Sequence, residues 1–481
     1  MWLRDSVEVR RSRIDGSIVC PPSKSYTHRA IVISSLVDDG KASIVRNALL
    51  ARDTNATIHG CRVLGSYIGL EDDGHGYNSS SSYSSSSSSS ITSSRSSTRS
   101  KSSSSSTRNS IGNASEGSKG RMLIVYGRRE FTLGYREIDA ENSGTTIRML
   151  AAVSALVKEG STLLYGDSSL NRRPMQPLLD ALKQLGVQCK SLADGTPPLL
   201  INGHGIEGGE ARITGSISSQ FISALLIPSV YARHDVALSI VGEQVSRPYI
   251  DSTIAVMRAF SARVDNDDYK HYSIARQEYK HTNFTVPGDF SSAAIMLAAG
   301  ALAGGGGVRV EGLDFTLPQG DSRIVDILRD MGARIHVDTG RGMVHVEEGM
   351  LDGGAFNLAD TPDLLPVVAI LALKSRGSVE IRGVAHARFK ETDRIANLAR
   401  ELSKFGAVVK ELDDGLIITP PKVLKNAMLE SYGDHRLFMV LCIASMLTEH
   451  SIVRGLSSVD VSYPSFLDDL VRIGADVRII G

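Results

Sequence analysis

The chain has 481 residues, 42% of them apolar, which is enough for more than one domain with a sizeable core. Its 53 basic and 53 acidic residues balance, which argues against a general nucleic-acid or membrane surface. No apolar run reaches the ~18 residues of a membrane span, and "MWLRDSVEVRRSRIDG" lacks a signal-peptide core, so we expect a cytoplasmic protein.

The cysteines predict reduced thiols. Cys20, Cys61, Cys189 and Cys442 are scattered and form no CxxC pair, which is typical of a cytoplasmic protein without a zinc site. No His/Cys cluster or carboxylate array has metal-ligand spacing either, so we expect no metal and no cofactor.

An amphipathic helix ending in an apolar residue, a glycine or serine and a small residue, then a strand, recurs six times. The copies are "TIHGCRVLGSYIGL", "PLLDALKQLGVQCK", "DSTIAVMRAFSARVD", "RIVDILRDMGARIHVD", "IANLARELSKFGAVVK" and "SFLDDLVRIGADVRII". Most lie roughly 70–75 residues apart, which indicates repeated supersecondary units. The glycine or serine is predicted to turn the helix end into the strand.

A second, more apolar helix with a polar first turn falls between these copies. Its six versions begin "SKSYTHRAIVISSL", "NSGTTIRMLAAVSAL", "SSQFISALLIPSV", "DFSSAAIMLAAGAL", "TPDLLPVVAILAL" and "GDHRLFMVLCIASML". Helices that are apolar nearly all round are buried. The chain therefore reads as six α/β units, each with one buried and one outer helix.

A doubly wound α/β sheet is the alternative architecture. The short strands around hairpin-like glycines disfavour it, and no GxGxxG follows the first strand. The stretch "AGGGGVRV" at 303–310 resembles a phosphate loop, but it follows a helix, so we predict a helix–strand turn there.

Residues from about 77 to 118 are mostly serine and cannot bury apolar area. We expect a disordered surface insertion. A phosphorylated regulatory segment is the functional alternative to a plain loop.

Six buried helix starts carry a chemical implication. Buried N-termini leave N–H groups unsatisfied, and several that converge make an electropositive centre without net protein charge. In "PPSKSYTHRA" the cations Lys24 and Arg29 occupy such a start, which is favourable only if anions share the site. Ser, Asn and Asp there read individually as caps, and "KETDR" as a solvated helix face.

Taken together, these residues favour a reaction between phosphorylated small molecules. Arginine forks bind phosphate or carboxylate bidentately. The carboxylates Asp363 and Glu391 inside such a basic set suggest acid–base work.

Nine motifs then resemble the 5-enolpyruvylshikimate-3-phosphate (EPSP) synthases, a family of enolpyruvyl transferases. They are "PPSKSYTHRA", "ENSGTTIRML", "NRRPMQPLLDAL", "GSISSQFISALL", "SRPYID", "VPGDFSSAA", "ADTPDLLP", "RFKETDRIANLARELSKFGA" and "YGDHRLFM", from residue 21 to 439. The resemblance implies two α/β domains, each of three βαββαβ units around a pseudo-threefold axis. Crossings near Pro21–Pro22 and Pro287 would place 1–20 and 287–481 in one domain and 21–286 in the other.

The implied reaction transfers the enolpyruvyl group of phosphoenolpyruvate to the 5-hydroxyl of shikimate 3-phosphate, releases phosphate and serves aromatic amino acid biosynthesis. The resemblance implies no cofactor, no nucleic-acid or membrane partner, and a monomer. Catalytic roles would fall to Asp363 as base on the hydroxyl, Glu391 at the methylene carbon and Lys24 as acid.

The resemblance also assigns binding residues. Phosphoenolpyruvate would be held by Lys24, Gly144, Arg148, Arg173, Gln220, Arg394 and Arg436. Shikimate 3-phosphate would be held by Lys24, Ser25, Arg29, Ser218, Ser219, Gln220, Ser246, Tyr249, Asp363, His386 and Lys390.

The sequence departs from the family pattern at one position, where Val461 stands in place of the lysine that bacterial members often carry. Two alternative functions also remain open. The sister family that acts on UDP-N-acetylglucosamine has a catalytic cysteine before an "RP" motif, whereas here no cysteine lies between 61 and 189. A non-catalytic phosphate-binding protein on the same fold would not need Asp363 and Glu391 in the basic set.

Overall fold

The computed structural model describes residues 5–71, 121–128 and 132–480. The predicted serine-rich insertion at 77–118 lies outside these ranges. None of the helices within them is long and apolar enough to cross a membrane.

Strands and helices alternate along the described chain. The strands are β1 (Ser6–Arg10), β2 (Ile14–Val19), β3 (Ser43–Ala48), β4 (Tyr67–Glu71), β5 (Arg121–Tyr126), β6 (Thr132–Asp139), β7 (Glu159–Tyr165), β8 (Gln188–Ala193), β9 (Thr196–Gly203), β10 (Gly209–Thr214), β11 (Val236–Val241), β12 (Asp265–Asp267), β13 (His271–Ile274), β14 (Asn283–Thr285), β15 (Gly304–Glu311), β16 (Arg334–Asp338), β17 (Met343–Glu347), β18 (Gly354–Asn357), β19 (Val379–Arg382), β20 (Val408–Leu412), β21 (Gly415–Thr419), β22 (Met428–Glu430), β23 (His450–Arg454) and β24 (Val477–Ile480). The helices are α1 (Lys24–Ser34), α2 (Arg52–Val63), α3 (Gly144–Val153), α4 (Gln176–Gln184), α5 (Ser219–Ser229), α6 (Arg247–Ala259), α7 (Phe290–Ala303), α8 (Ile324–Asp330), α9 (Leu365–Leu371), α10 (Arg394–Lys404), α11 (His435–Ser445) and α12 (Phe466–Arg472).

These strands form six four-stranded sheets in the described part of the chain. In strand order the sheets are β22-β23-β1-β24, β16-β17-β15-β2, β18-β19-β21-β20, β14-β3-β5-β4, β6-β7-β9-β8 and β10-β11-β13-β12. Each sheet contains one parallel pair, such as β6 with β7, and two antiparallel pairs. The six predicted units are therefore present and share one pairing pattern.

The chain order within a unit differs from the expected βαββαβ. The unit that starts at β6 runs β6, α3, β7, α4, β8, β9, which is βαβαββ. The reason lies in the pairing: the parallel strands β6 and β7 need a crossover, which the buried α3 supplies, whereas β8 and β9 are antiparallel and close as a hairpin.

The helix–strand turns follow the sequence prediction. The six equivalent positions Gly65, Gly186, Ser261, Gly332, Gly406 and Gly474 all have positive φ. Ser261, at φ 69°, is the one that is not glycine and carries the strain that a Cβ brings to this conformation. The turn predicted at 303–310 is not present: α7 ends at Ala303 and β15 begins directly at Gly304, so these glycines lie in the strand. The prediction that the stretch follows a helix and opens none is confirmed.

The buried helices α1, α3, α5, α7, α9 and α11 pack into two separate apolar clusters. One cluster takes residues from Val7 to Cys20 and from Phe290 to Ala475, and the other takes residues from Tyr26 to Val286. The chain passes between the clusters in two adjacent segments, where Ser23 N–H donates to Pro287 O at 2.8 Å and Asp289 N–H donates to Pro21 O at 2.9 Å. The region between the clusters is thus framed by buried helix starts.

Candidate active site

The starts of the buried helices surround a cavity of about 80 Å³ between the two clusters. Their caps behave as the simple interpretation expects: Ser23, Ser143 and Ser218 accept from N–H groups of α1, α3 and α5, and Asp289 and Asp434 do the same for α7 and α11. The helix starts are capped and still form one shared site, because side chains in the turn that follows each cap point into the cavity.

Most of the predicted site residues line this cavity. They are Lys24, Ser25, Arg29, Gly144, Arg148, Arg173, Gln220, Tyr249, Asp363, Lys390, Glu391, Arg394 and Arg436. Residues more than 400 positions apart in sequence therefore meet at one place.

Four predicted residues do not line the cavity. Ser218 is the cap of α5, and Ser219 is buried in its first turn. Ser246 and His386 face each other from opposite clusters, with Ser246 Oγ 3.4 Å from His386 Nε2. Val461, at the position of the bacterial lysine, is buried in a short helical turn at 456–461 and does not line the cavity.

The cavity also has lining residues that the sequence did not assign. They are His28, Asp53, Thr145, Asp289, Ser291, Phe389 and His435. Several stand at the recognised helix starts, which was a usable signal. Asp53 is different, because it comes from the first turn of the outer helix α2 and only the tertiary fold brings it to Lys24.

One side of the cavity, called the carboxylate wall here, consists of Asp363, Glu391, Arg394 and Arg436, with Asp434 behind them. Arg394 is 1% exposed and contacts three carboxylates: Nε reaches Asp434 at 2.7 Å, Nη1 reaches Asp363 at 2.8 Å and Nη2 reaches Glu391 at 2.8 Å. Arg436 Nη2 lies 3.0 Å from the other oxygen of Asp363. A buried guanidinium needs this compensation, because an unpaired charge is costly to desolvate.

The ion pairs set the ionisation of this wall. Burial alone would raise the pKa of Asp363, but Arg436, Lys390 and Arg394 together hold it well below its usual value. Burial alone would also raise the pKa of Glu391, but Arg394 and Arg173 outweigh this effect and hold that pKa well below its usual range. Both carboxylates are therefore charged at neutral pH and can accept protons.

The opposite side, called the arginine wall here, consists of Lys24, Arg148 and Arg173. Lys24 Nζ lies 3.0 Å from Asp53. Arg148 Nη1 donates to the amide oxygen of Gln220 at 2.5 Å, and Arg173 Nη2 donates to that of Asn142 at 2.8 Å. The buried Nε atoms of both arginines have no partner among the described residues.

These two guanidiniums thus have neutral partners only. Burial and the neighbouring Arg173 lower the pKa of Arg148 to about 9, which measures how poorly its charge is compensated. Gly144 lies between them, and a Cβ there would come 3.0 Å from Nη1 of Arg173 and 3.1 Å from Nη1 of Arg148. The arginine wall therefore offers two crowded, unneutralised guanidiniums, which is an arrangement that favours an anion.

Between the walls, Arg29 and Tyr249 form a linked pair. Arg29 Nη2 donates to the backbone oxygen of Tyr249 at 2.8 Å and Nη1 donates to Ser25 Oγ at 2.6 Å. The phenol of Tyr249 extends from α6 to the other cluster, where it meets Asp321 and Asp363. His435, which also lines the cavity, is buried near Lys24 and Glu391. Both of its ring nitrogens are unpartnered in the described part of the chain, and burial keeps its pKa well below the usual value.

Side chains on the two sides of the cavity also contact each other directly. Arg247 Nε and Nη2 donate to the carboxylate of Asp360, the shortest distance being 2.6 Å. Ser169 Oγ donates to the backbone oxygen of Glu391 at 2.9 Å. In the described ranges, no three or more His, Cys, Asp or Glu side chains are grouped so that they could hold a metal ion.

Comparison with known proteins gives this cavity a context. The profile of the EPSP synthase (3-phosphoshikimate 1-carboxyvinyltransferase) family matches residues 9–100 and 107–470. A protein of Nitrosopumilus maritimus named 3-phosphoshikimate 1-carboxyvinyltransferase is 43% identical over 472 residues, which is 98% of this chain and 99% of that protein. One of the same name from Methanosarcina mazei is 39% identical over 475 residues, with 98% of each chain covered.

Solved structures agree on the fold. The EPSP synthase of Acinetobacter baumannii aligns with a TM-score of 0.71 at 22% identity, covering 98% of this chain and all of that chain. An enolpyruvyl transferase of Streptomyces tendae aligns with a TM-score of 0.70 at 15% identity, with 99% of each chain covered. The two-domain enolpyruvyl-transferase fold expected from the sequence is confirmed, and the chain belongs to the EPSP synthase (3-phosphoshikimate 1-carboxyvinyltransferase) family.

Proposed function

We propose that the cavity between the carboxylate wall and the arginine wall is the active site of the family reaction. In that reaction the enolpyruvyl group of phosphoenolpyruvate is transferred to the 5-hydroxyl of shikimate 3-phosphate, in the biosynthesis of aromatic compounds. One observation carries the proposal. The carboxylate wall contains ionised, buried carboxylates, and the arginine wall contains the guanidiniums of Arg148 and Arg173, whose hydrogen bonds go to neutral amide oxygens. Such a site suits two anionic substrates and proton transfer between them.

Phosphoenolpyruvate binds at the arginine wall in this proposal. Arg148 and Arg173 have guanidinium N–H groups left to give, and a phosphate or carboxylate accepts two of them in parallel. Lys24 of the same wall and the neighbouring Gly144 and Gln220 also bind phosphoenolpyruvate in this proposal, and Arg394 and Arg436 approach it from the carboxylate wall.

Shikimate 3-phosphate lies beside it. Arg29, held by Ser25 and the backbone of Tyr249, faces the cavity and suits a carboxylate. The remaining residues proposed for this substrate are Lys24, Ser218, Ser219, Gln220, Ser246, Tyr249, Asp363, His386 and Lys390. Those that do not line the cavity would reach the substrate after side-chain rearrangement, as apo sites commonly require.

Proton transfer is assigned to three groups. Asp363 accepts the proton of the 5-hydroxyl as it attacks C2 of phosphoenolpyruvate, and Glu391 delivers a proton to the methylene carbon, giving a tetrahedral intermediate. Glu391 then takes a proton back from the methyl group while phosphate leaves, assisted by Lys24 as acid. The ionised state of Asp363 supports its role as base. Glu391 is also ionised in the free protein, so in this proposal it takes up a proton when the anionic substrates bind and then passes it to the methylene carbon.

We also propose the domain boundaries and the physical state. The two apolar clusters support domains 1–20 with 287–481 and 21–286, joined by the paired segments at Pro21–Pro22 and Pro287. The proposed physical state is a monomer, as the family resemblance implies. Free thiols at all four cysteines and charged, membrane-impermeant substrates support a cytoplasmic location.

The direct experiment mixes the purified full chain with both substrates and measures phosphate release. Release that requires both phosphoenolpyruvate and shikimate 3-phosphate is expected. Release with UDP-N-acetylglucosamine as acceptor instead would assign the chain to the sister activity, and no release with either acceptor would leave a binding protein.

A further inference from the structure

Asp321 is a buried carboxylate that the reaction as described does not use. It lies in the short helical turn Gly320–Arg323, is 3% exposed and does not line the main cavity. It faces Tyr249 from the opposite cluster and also contacts Ser291, and both of these side chains line the cavity.

The geometry around the phenol of Tyr249 is unusual. Its oxygen lies 3.2 Å from both carboxylate oxygens of Asp321 and 3.4 Å from Oδ2 of Asp363. On its far side, Asp321 Oδ2 accepts a hydrogen bond from the hydroxyl of Ser291. One phenol hydrogen is therefore shared between two carboxylates.

The proton on this carboxyl decides which way the phenol hydrogen points. If Asp321 is ionised, it accepts the phenol O–H, and Tyr249 has no hydrogen left to give to a ligand. If Asp321 is protonated, its own O–H can donate to the phenol oxygen, and the phenol hydrogen turns towards Asp363 and the cavity. Only the second arrangement makes Tyr249 a donor to an anionic substrate.

We propose that Asp321 is a positioning residue for the acceptor: its carboxyl group donates to the phenol oxygen and so directs the Tyr249 hydroxyl hydrogen towards bound shikimate 3-phosphate. The inference rests on the proposed placement of that substrate against Tyr249. It adds a residue that acts through Tyr249 and makes acceptor binding depend on one buried proton.

The charges that face Asp321 are consistent with this state. Asp363 from the turn before α9 and Asp289 from the cap of α7 oppose a negative charge on Asp321, whereas Arg436 from α11 and the hydrogen bonds donated by Ser291 and by Tyr249 from α6 favour it. Burial and the neighbouring Asp363 together raise the pKa of Asp321 to about 6. Arg394 and Lys390 act on Asp363, which stays ionised, so Asp321 is the member of the pair that takes up a proton as the pH falls through about 6.

Asp321→Asn tests the proposal, because an asparagine imitates the protonated carboxyl. The Ser291 hydroxyl would donate to the amide oxygen and leave the amide N–H₂ facing the phenol oxygen. Steady-state kinetics of phosphate release are measured between pH 5.5 and 8.5, varying shikimate 3-phosphate at saturating phosphoenolpyruvate. The wild-type kcat/KM for the acceptor, divided by that of the variant, is expected to fall about fivefold as pH rises, the scale of one hydrogen bond.

Taking this ratio cancels the ionisation of the substrate itself. The KM for phosphoenolpyruvate is expected to be the same in both proteins. Asp321→Ala leaves the phenol hydrogen undirected, so its loss in kcat/KM for the acceptor relative to wild type is expected to be largest at low pH and to shrink as pH rises. In the Tyr249→Phe background the Asp321→Asn change is expected to have no effect on the pH profile. Asp326→Asn, the same change on an exposed carboxylate of α8, serves as the matched control.

The outcomes distinguish a failure of the proposed function from a failure of the proposed role of Asp321. Failure of the wild type to release phosphate would remove the proposed function. A working wild type whose ratio to Asp321→Asn is constant with pH, or an undiminished effect in the Tyr249→Phe background, would overturn the role of Asp321. If Asp321→Ala fails to fold, the asparagine variant and its pH profile still decide.

Discussion

The two walls of the cavity hold their arginines in different ways. On the carboxylate wall, Arg394 and Arg436 are paired with carboxylates at 2.7–3.0 Å, and the pKa of each guanidinium is raised although burial alone would lower it. On the arginine wall, the hydrogen bonds of Arg148 and Arg173 to described residues go to amide and hydroxyl oxygens, Arg148 also lies over the ring of Phe221, and burial lowers the pKa of Arg148 to about 9.

This difference separates structure from ligand affinity. The carboxylate wall is electrostatically complete without a substrate, so breaking it should cost folding stability. The arginine wall has positive charge that no described carboxylate neutralises within ion-pair distance, so an anion should gain most there. Changes on the first wall should therefore lower stability or turnover, and changes on the second should raise KM.

The largest effect is expected at Asp434, which is wholly buried behind the carboxylate wall. Asp434→Ala removes the partner of Arg394 Nε and the cap of α11. Arg394 keeps Asp363 and Glu391 but loses its partner at Nε, and together with the lost cap this should lower the free energy of unfolding by about 3–5 kcal/mol. Denaturant unfolding measures this loss. Asp468→Ala, on an exposed first-turn carboxylate of α12, is the control and should lose less than about 1 kcal/mol; equal losses in the two variants would contradict a charge-compensated wall.

Asp363→Ala should retain acceptor binding but lose at least ~10²-fold in kcat, the usual scale for a general base. The change also leaves Arg394 and Arg436 one carboxylate short, so turnover is compared at a temperature where both proteins are folded. Asp352→Ala, which removes a half-exposed carboxylate of the same cluster, should keep wild-type turnover. Near-normal turnover of Asp363→Ala would remove this residue from the mechanism.

On the arginine wall, Arg173→Gln should raise the KM for phosphoenolpyruvate about 10–150-fold, because a charge-assisted hydrogen bond contributes about 1.5–3 kcal/mol and every 1.4 kcal/mol is about tenfold. Folding stability should change little, since Arg173 forms no ion pair with a described carboxylate. Arg172→Gln, one residue earlier and exposed, is the matched control. A large loss of stability with an unchanged KM would reverse the contrast between the walls.

The smallest effect concerns His386, which lies next to the carboxylate wall. Burial and Lys390 lower its pKa to about 4, outweighing the attraction of Asp363, as expected if that wall carries no excess negative charge. A folded-state pKa below the ordinary ~6.5 means that the unfolded chain binds the proton first, so this group's stabilisation is complete above pH 6.5 and decreases as pH falls towards 4. Between pH 7.5 and 5, wild type should lose about 2 kcal/mol more than His386→Gln in denaturant unfolding; an equal pH dependence would contradict this ionisation.

Local patterns in the sequence account for much of this architecture. The "LGS" to "IGA" triplets predicted all six left-handed turns, including Ser261, because such a turn is a property of the adjacent residues. The buried helix starts similarly located Lys24, Arg148 and Arg436 at one cavity.

What the sequence did not provide was the pairing between units. The partners of Arg394 come from three different stretches of the chain, and Asp53 and Asp321 reach Lys24 and Tyr249 from elements with no motif of their own. The order βαβαββ was likewise missed, since it follows from which strands are parallel, and strand pairing is a long-range property.

The most direct test of the account is a crystal structure of the chain with shikimate 3-phosphate and phosphoenolpyruvate. We expect the phosphate or carboxylate of phosphoenolpyruvate to lie within hydrogen-bond distance of Arg148 and Arg173, and the 5-hydroxyl of the acceptor to lie beside Asp363. Density for both ligands outside this cavity, with Arg148 and Arg173 still bound only to Gln220 and Asn142, would contradict it.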